Sequence, residues 1–253
     1  EALELGLVVR CGVALVAERR GLRIVRSQEP RQIAEWPIRR ERDEEPLAGA
    51  LLDHELEPGR LARQSQRALA LDAALAARGY LEPTAVQTAV LTPEAEARDL
   101  LVSARTGSGK TVAFGLAAAP TLMPDGVLPP PGAPAALVIA PTRELALQIR
   151  TELAWLYAGA RIAVGVGGTS IGLEARALHA GVHIVAGTPG RLGDHVRRGN
   201  LDLSALRVVV LDEADEMLDL GFQEELEFLL NAAPPDRRTL MFSATIPPDI
   251  ARL

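Results

Sequence analysis

Two short stretches carry residue types suited to chemistry at a phosphate. The first is SARTGSGKT, Ser103 to Thr111. It holds Lys110, the only lysine among 27 basic residues; the other 26 are arginines. A compact ammonium fits among phosphate oxygens inside a tight loop, whereas a planar guanidinium is larger and prefers a fork-shaped partner. Gly107 and Gly109 let the backbone curl so that successive N–H groups along Thr106–Gly109 point inward. In such a loop Lys110 reaches the β- and γ-phosphates, and the Thr111 hydroxyl holds Mg²⁺. The strict pattern G-x-x-x-x-G-K-[ST] asks for glycine where this chain has Ala104, so the match is to a variant form. A glycine-rich turn with no ligand is the plain alternative.

The second stretch is Asp212-Glu213-Ala214-Asp215, directly after the apolar run RVVVL. Three carboxylates within four residues repel one another, and a bound cation offsets that repulsion. Asp212 can orient Mg²⁺ through its waters, and Glu213 can orient and deprotonate an attacking water. The plain alternative is a helix start, with acids near the positive end of the dipole. Glu216 and Asp219 fit that alternative.

Positioning these residues requires a scaffold, and the hydrophobic pattern describes one. Six short apolar runs recur: DLLVSA, AALVIA, RIAVGV, VHIVAG, RVVVLD and TLMFSA. None alternates strictly, which is how strands buried on both faces read. Helix-like segments lie between most of them, at 110–119, 143–157, 170–180, 189–198 and 216–231. Alternating strands and helices predict an α/β fold, with a doubly wound, mostly parallel sheet and right-handed crossovers. Ligands of such sheets collect at the C-terminal strand ends, where both stretches fall. A helix over LALDAALAARGY ends at Gly79, a suitable C′ residue, and PDGVLPPPGAPA (124–135) reads as a surface loop.

Residues 1–62 differ, with 12 acids and 10 arginines and a mixed-charge run RRERDEE at 39–45. LVVRCGVALVAERRGLRIVRS within them reads either as a β-hairpin turning near Gly21 or as a poorly ordered extension. Net charge −6 excludes nucleic-acid binding by bulk positive charge, though not binding through a local site. The single Cys11 excludes an internal disulfide and fits a reducing compartment. His54, His179, His183 and His195 lack zinc-ligand spacing and read as structural or surface residues. With no membrane-span-length apolar run and no basic start before Glu1 and Glu4, the expectation is a cytoplasmic protein.

Seven motifs occur together and in order: GYLEPTAVQ (79–87), ARTGSGKT (104–111), PTREL (141–145), GG (167–168), TPGR (188–191), DEAD (212–215) and SAT (243–245). Over roughly residues 64–253 the chain resembles the DEAD-box ATP-dependent RNA helicases. The resemblance implies a RecA-like P-loop NTPase domain over 63–253, an N-terminal extension over 1–62, and ATP and Mg²⁺ as cofactors. It implies that Gln87 reads adenine with Thr84 in the same motif, and that Thr106, Gly107, Ser108, Gly109, Lys110 and Thr111 bind the phosphates. Thr111 and Asp212 would hold the metal, with Lys110, Asp212 and Glu213 catalytic. Asp215, Ser243 and Thr245 would couple nucleotide state to strand separation. Pro141, Thr142, Arg143, Gly167, Gly168, Thr188, Pro189, Gly190 and Arg191 would contact an RNA backbone without reading bases.

PTREL and TPGRL also read as helix starts, with threonine at the N-cap and Pro189 at N1, and helix N-termini attract phosphates. That reconciles net −6 with an RNA partner. Three departures stand out. The family commonly has an aromatic residue about 17 positions before the glycine of the adenine motif, where this chain has Ala62; either adenine stacking is weaker or Trp36 supplies it. Arg105 stands where glutamine is frequent. The family's second α/β domain, with its arginine fingers, is not in this sequence, so turnover and duplex separation are expected to need that domain as a partner. Alternatives are a non-catalytic nucleotide-dependent binding module and a DNA translocase of the wider superfamily; DEAD together with Gln87 argues against the latter.

Overall fold

The structure is a computed structural model that describes residues 7–10, 13–18, 21–24, 58–96 and 98–245, with side chains from residue 67 onward except at 94. Trp36, the charged run at 39–45 and the side chain of Ala62 lie outside the described residues.

Three short strands come first: β1 (Leu7–Arg10), β2 (Val13–Glu18) and β3 (Gly21–Ile24). They pair antiparallel, with Glu18 opposite Gly21 as the hairpin reading of this stretch requires, and β1 runs parallel to β4. The six expected strands follow as β4 (Leu100–Ser103), β5 (Ala136–Ile139), β6 (Ile162–Gly165), β7 (Ile184–Gly187), β8 (Val208–Asp212) and β9 (Arg238–Ser243). Their order is β4-β9-β8-β5-β7-β6 and every pairing among them is parallel. The central β5 and β8 are buried at every position, as unbroken apolar runs predict. The edge strand β6 alternates instead.

Helices cover both faces. α1 (Pro58–Ala77), α2 (Ala85–Val90), α3 (Lys110–Leu122) and α4 (Arg143–Leu156) enclose one core with Leu75, Phe114, Ile149 and Phe242. α6 (Pro189–Arg197), α7 (Ala214–Asp219) and α8 (Gln223–Ala232) enclose the other with Leu192, Met217 and Leu226, while α5 (Ile171–His179) lies beside β6. α3 is apolar nearly all round, and ten of its residues are buried. α1 closes as expected at Gly79: Tyr80 N–H donates to Leu75 O at 3.1 Å and Gly79 N–H to Ala76 O at 3.0 Å, the Schellman pattern. The compositional boundary at 62/63 falls inside α1.

Two expectations need correction. The segment 216–231 is not one helix but two, α7 and α8, separated where Gly221 takes φ 81°. Asp219 is therefore the last residue of α7 and not an acid at a helix start; Asp215 and Glu216 occupy the first turn.

The strand order sets out the site. β9 lies between β4 and β8, so the loops leaving Ser103, Asp212 and Ser243 emerge side by side. Beyond β8 come β5, β7 and β6, after which 141–143 and 188–191, running into the first turns of α4 and α6, and the loop residues 167–168 lie along the same edge.

Candidate functional site

Lys110 is the first residue of α3, and it is buried. Its Nζ lies 3.6 Å from Asp212 Oδ1 and 3.7 Å from Glu213 Oε1. Both separations exceed hydrogen-bond length, and the ammonium donates no hydrogen bond. Ser108 Oγ in the preceding loop is likewise buried without a partner. A buried ammonium with three unused donors costs free energy unless an acceptor enters. Gly107 and Gly109 take φ 80° and 87°, the left-handed conformation that curls the loop. At Gly109 a Cβ would also stand 2.7 Å from Gln87 Nε2.

Gln87 is buried on α2 and braces this loop, its Nε2 donating to Gly109 O at 3.4 Å. Its Oε1 accepts from Thr84 N–H at 2.9 Å, and its own N–H donates to Thr84 Oγ1, a reciprocal capping box. Each amide atom keeps one further hydrogen-bonding position. A cleft lined mainly by apolar side chains, Leu75, Tyr80, Leu81 and Leu116 among them, with Asp72 and Glu82 as its acids, opens beside Gln87.

Across the loop, Asp212 ends β8, fully buried. Burial pushes its carboxyl up to about 6 against the opposing pull of Lys110, and the Glu213 charge adds to the rise. Glu213 is the only non-glycine described residue with positive φ (54°, ψ 51°). Such backbone strain persists where surrounding structure over-determines it. Here it turns β8 into α7 and holds the Glu213 carboxylate where Thr106 Oγ1 donates to it at 3.2 Å. Asp215 turns away: its Oδ2 accepts from Thr245 N–H and Thr245 Oγ1, each at 2.8 Å, and its N–H donates to Ser243 Oγ at 3.2 Å. Burial works to raise the Asp215 carboxyl, but hydrogen bonds from Ser243, Thr245 and the Glu216 backbone hold it below the usual value. Asp212 and Glu213 thus face Lys110, while Asp215 ties the end of β9 to α7; the three carboxylates of 212–215 do not form one cluster.

The residues fit a polyphosphate with a divalent cation. The unsatisfied Lys110 and Ser108 and the curled loop supply donors. Thr111 beside them and Asp212 opposite supply hard oxygen ligands. Among the described residues no three acidic, histidine or cysteine side chains could hold a metal by themselves. A cation here would complete its shell from phosphate and water, as magnesium does.

Along the same edge, Thr142 caps α4, accepting from Leu145 N–H at 3.2 Å, and Thr188 caps α6 by position without a side-chain bond. Arg143 Nη1 donates to Gly167 O at 3.0 Å and Arg191 Nη1 to Thr169 O at 3.2 Å, so both arginines brace the loop after β6. Gly167 and Gly168 are exposed; Pro141 and Pro189 are buried and shape the helix entries, offering no surface of their own. The sequence reading did not single out Glu174, His195 as its partner, or Thr169, which meet beneath this edge. Their signal is a phase mismatch: Glu174 lies three residues after Ile171 and four before Leu178, on the apolar face of α5. His183 and His195 are buried and hydrogen-bonded within the fold, as structural histidines should be.

A family model described as DEAD/DEAH box helicase matches residues 84–253. The chain belongs to the DEAD-box helicase family. The "DEAD-box ATP-dependent RNA helicase 9" of Oryza sativa subsp. japonica is 47% identical over 180 residues, 71% of this chain and 28% of that protein. The "ATP-dependent RNA helicase DbpA" of Bacillus subtilis (strain 168) is 42% identical over 182 residues, 71% of this chain and 37% of that protein. The crystal structure of a DEAD box protein from the hyperthermophile Methanococcus jannaschii superposes with TM-score 0.61 at 34% identity, covering 78% of this chain and 50% of that one. This DEAD-box chain therefore spans about a third of the length of the curated relatives it matches. Its six-stranded parallel sheet with flanking helices is the RecA-like domain expected from the sequence. Among the described residues no helix is long and apolar enough to cross a membrane.

Proposed function

We propose that this chain is the ATP-binding half of an ATP-dependent RNA helicase, holding Mg-ATP at the β4–β9–β8 strand ends and one side of an RNA backbone along the β5–β7–β6 ends. The observation that supports it most is the buried Lys110 ammonium, 3.6 and 3.7 Å from the Asp212 and Glu213 carboxylates and without a hydrogen-bond acceptor beside a curled glycine loop. Thr106, Gly107, Ser108, Gly109 and Lys110 bind the phosphates, with the α3 N-terminus adding its dipole. Thr111 and Asp212 would hold Mg²⁺, which supplies charge neutralisation on the phosphates. Glu213 orients and accepts a proton from the attacking water. Gln87 uses its remaining donor and acceptor on the adenine edge, and Leu75, Leu81 and Leu116 in the adjacent cleft offer the base a non-polar wall.

The Asp215–Ser243–Thr245 cluster links the acid-bearing loop to the strand next to the phosphate loop, so a shift at one is felt at the other. Thr142, Arg143, Gly167, Gly168, Thr188, Gly190 and Arg191 form the RNA-facing edge, Pro141 and Pro189 setting its shape. Two helix N-termini and two arginines grip phosphates without bulk positive charge. Turnover draws on a second helicase domain, because charge developing on the γ-phosphate needs an arginine, and among the described residues none pairs with Asp212 or Glu213; such a finger is worth on the order of 10³–10⁵ in rate.

Phosphate release tests this reading. The 253-residue chain alone should release phosphate slowly and without RNA stimulation, and fusion to a matching second domain after Leu253 should make release RNA-stimulated. Glu213→Gln in the fusion should retain ATP and RNA binding yet turn over far more slowly. Robust RNA-stimulated release from the chain alone would show a complete active site and overturn the half-site reading.

A further inference from the structure

Beneath the edge assigned to RNA lies a buried carboxylate that the nucleotide site does not use. Glu174 sits in the first turn of α5 and is only 7% exposed. Both of its oxygens are occupied. Oε1 accepts from Val166 N–H at 3.2 Å and contacts the Thr169 hydroxyl. Oε2 accepts from Arg191 Nη1 at 2.8 Å and from His195 Nε2 at 2.7 Å. His195 is fully buried, and its Nδ1 faces the Asn200 amide nitrogen at 3.4 Å. With Nδ1 accepting, Nε2 carries the hydrogen, so neutral imidazole satisfies both contacts. Arg191 is then the cation that compensates the buried charge.

We infer that Glu174 is a positioning residue for RNA: its one carboxylate locks Arg191 and the Val166–Thr169 loop into a single arrangement facing the phosphate backbone. This rests on the proposed RNA edge. The Nη1 group of Arg191 is fully used, one hydrogen going to Glu174 and one to Thr169 O. Its Nη2 and Nε groups have no hydrogen-bond partner among the described residues. The inner side of the guanidinium is therefore anchored while three N–H donors stay available, the fork that suits a phosphate. A guanidinium fixed in advance loses less conformational entropy on binding than a free one. Burial alone would raise the Glu174 carboxyl, yet the bonds from Thr169, His195, Val166 and Arg191 together hold it below its usual value, so the anchor stays charged at neutral pH. An amide is a poor replacement: three N–H groups, from Val166, Arg191 and His195, converge on the two oxygens, with the Thr169 hydroxyl shared between Oε1 and Val166 O, so an amide nitrogen on either side would face an N–H donor.

The test measures binding of a fluorescein-labelled ten-nucleotide oligouridine by anisotropy at low salt, beside ADP binding, for the 253-residue chain and its variants. Glu174→Gln should weaken RNA binding about three- to tenfold and leave ADP affinity unchanged. Arg191→Ala should weaken RNA binding, and the double variant should lose less than the sum of the two single losses, because part of the Glu174 effect runs through Arg191. If Glu174→Gln matches the unmodified chain while Arg191→Ala is weakened, the RNA edge stands and the positioning role falls. If neither variant weakens RNA binding, the assignment of Arg191 to RNA falls and the positioning role with it. Additive losses, or a parallel loss of ADP affinity, would make Glu174 a general structural residue and overturn the inference. Should Glu174→Gln fail to fold, Arg191→Lys decides. A lysine has a single nitrogen, so meeting Glu174 and Thr169 as Nη1 does leaves it one donor for phosphate in place of the three on Nη2 and Nε; it should bind RNA more weakly than the unmodified chain, and unmodified affinity would overturn the inference.

Discussion

Asp212 carries the clearest pH signature. Its folded carboxyl titrates near 6 against an ordinary 3.8. The folded state therefore holds a proton between about pH 4 and 6 that the unfolded chain has already lost. Stability of the ligand-free protein should fall as pH rises through that window, by up to about 3 kcal/mol, and then level off. Asp215 and Glu174 have the opposite sign, since their folded carboxyls lie below the ordinary values; their contribution is lost only as pH falls below about 4. Denaturant unfolding of the unmodified chain and Asp212→Asn from pH 4 to 7 isolates the Asp212 part: the two curves should diverge between 4 and 6, and parallel curves would refute its burial as the cause. Gln87 makes a second prediction at this scale. Its free donor and acceptor match adenine, whereas guanine reverses them, so ADP should bind more tightly than GDP. Gln87→Ala should shrink that preference more than it weakens phosphate binding; equal ADP and GDP affinities in the unmodified chain would remove the adenine reading.

Among the elements, a buried arginine holds the start of β9 to α3. Arg238 donates to Arg98 O at 2.6 Å, to Ala95 O at 2.9 Å and to Ala117 O, near Pro120 in the last turn of that helix. Burial lowers its pKa, with the charges of Asp99 and Glu96 opposing. Arg238→Met removes the donors and leaves three carbonyls to be satisfied elsewhere, so urea unfolding should show a loss of about 2–4 kcal/mol; a change under 0.5 kcal/mol would mean water replaces the guanidinium freely. Such ties explain what was legible in the sequence. The strands β4 to β9 were readable because each is an apolar run bounded by polar turns, and the loop 104–111 because its glycines and lysine have one local purpose. The break between α7 and α8 was missed because acids and leucines keep helical phase through Gly221, and only the left-handed conformation there shows the stop. Arg238 was missed because its partners lie up to 143 residues away in the chain, beyond any spacing rule; Glu174, whose side-chain partners lie 5 to 21 residues away, showed only as an acid on the apolar face of α5. Thr142 and Thr188 read alike in sequence, yet only Thr142 makes the capping bond.

At the scale of the molecule, holding two polyanions as proposed requires a chain of net charge −6 to keep its positive character local. Helix N-termini, one ammonium and two braced arginines all lie at the C-terminal ends of one sheet, where the proposed nucleotide site falls at β4–β9–β8 and the proposed RNA edge at β5–β7–β6. Both sites share the sheet, and Asp215 with Ser243 and Thr245 lies where they meet the acid-bearing loop. Nucleotide binding by this fold depends on the phosphate site. Its most direct test is thermal and denaturant stability with Mg-ADP for the unmodified chain, Lys110→Ala and Lys110→Arg. At a hundred times the dissociation constant, Mg-ADP should stabilise the unmodified chain by about 2.7 kcal/mol. A hundredfold weaker site in either variant would leave about 0.4 kcal/mol at the same ADP concentration. Equal stabilisation of all three proteins would contradict the phosphate site and the reason this arginine-rich chain keeps a lysine at 110.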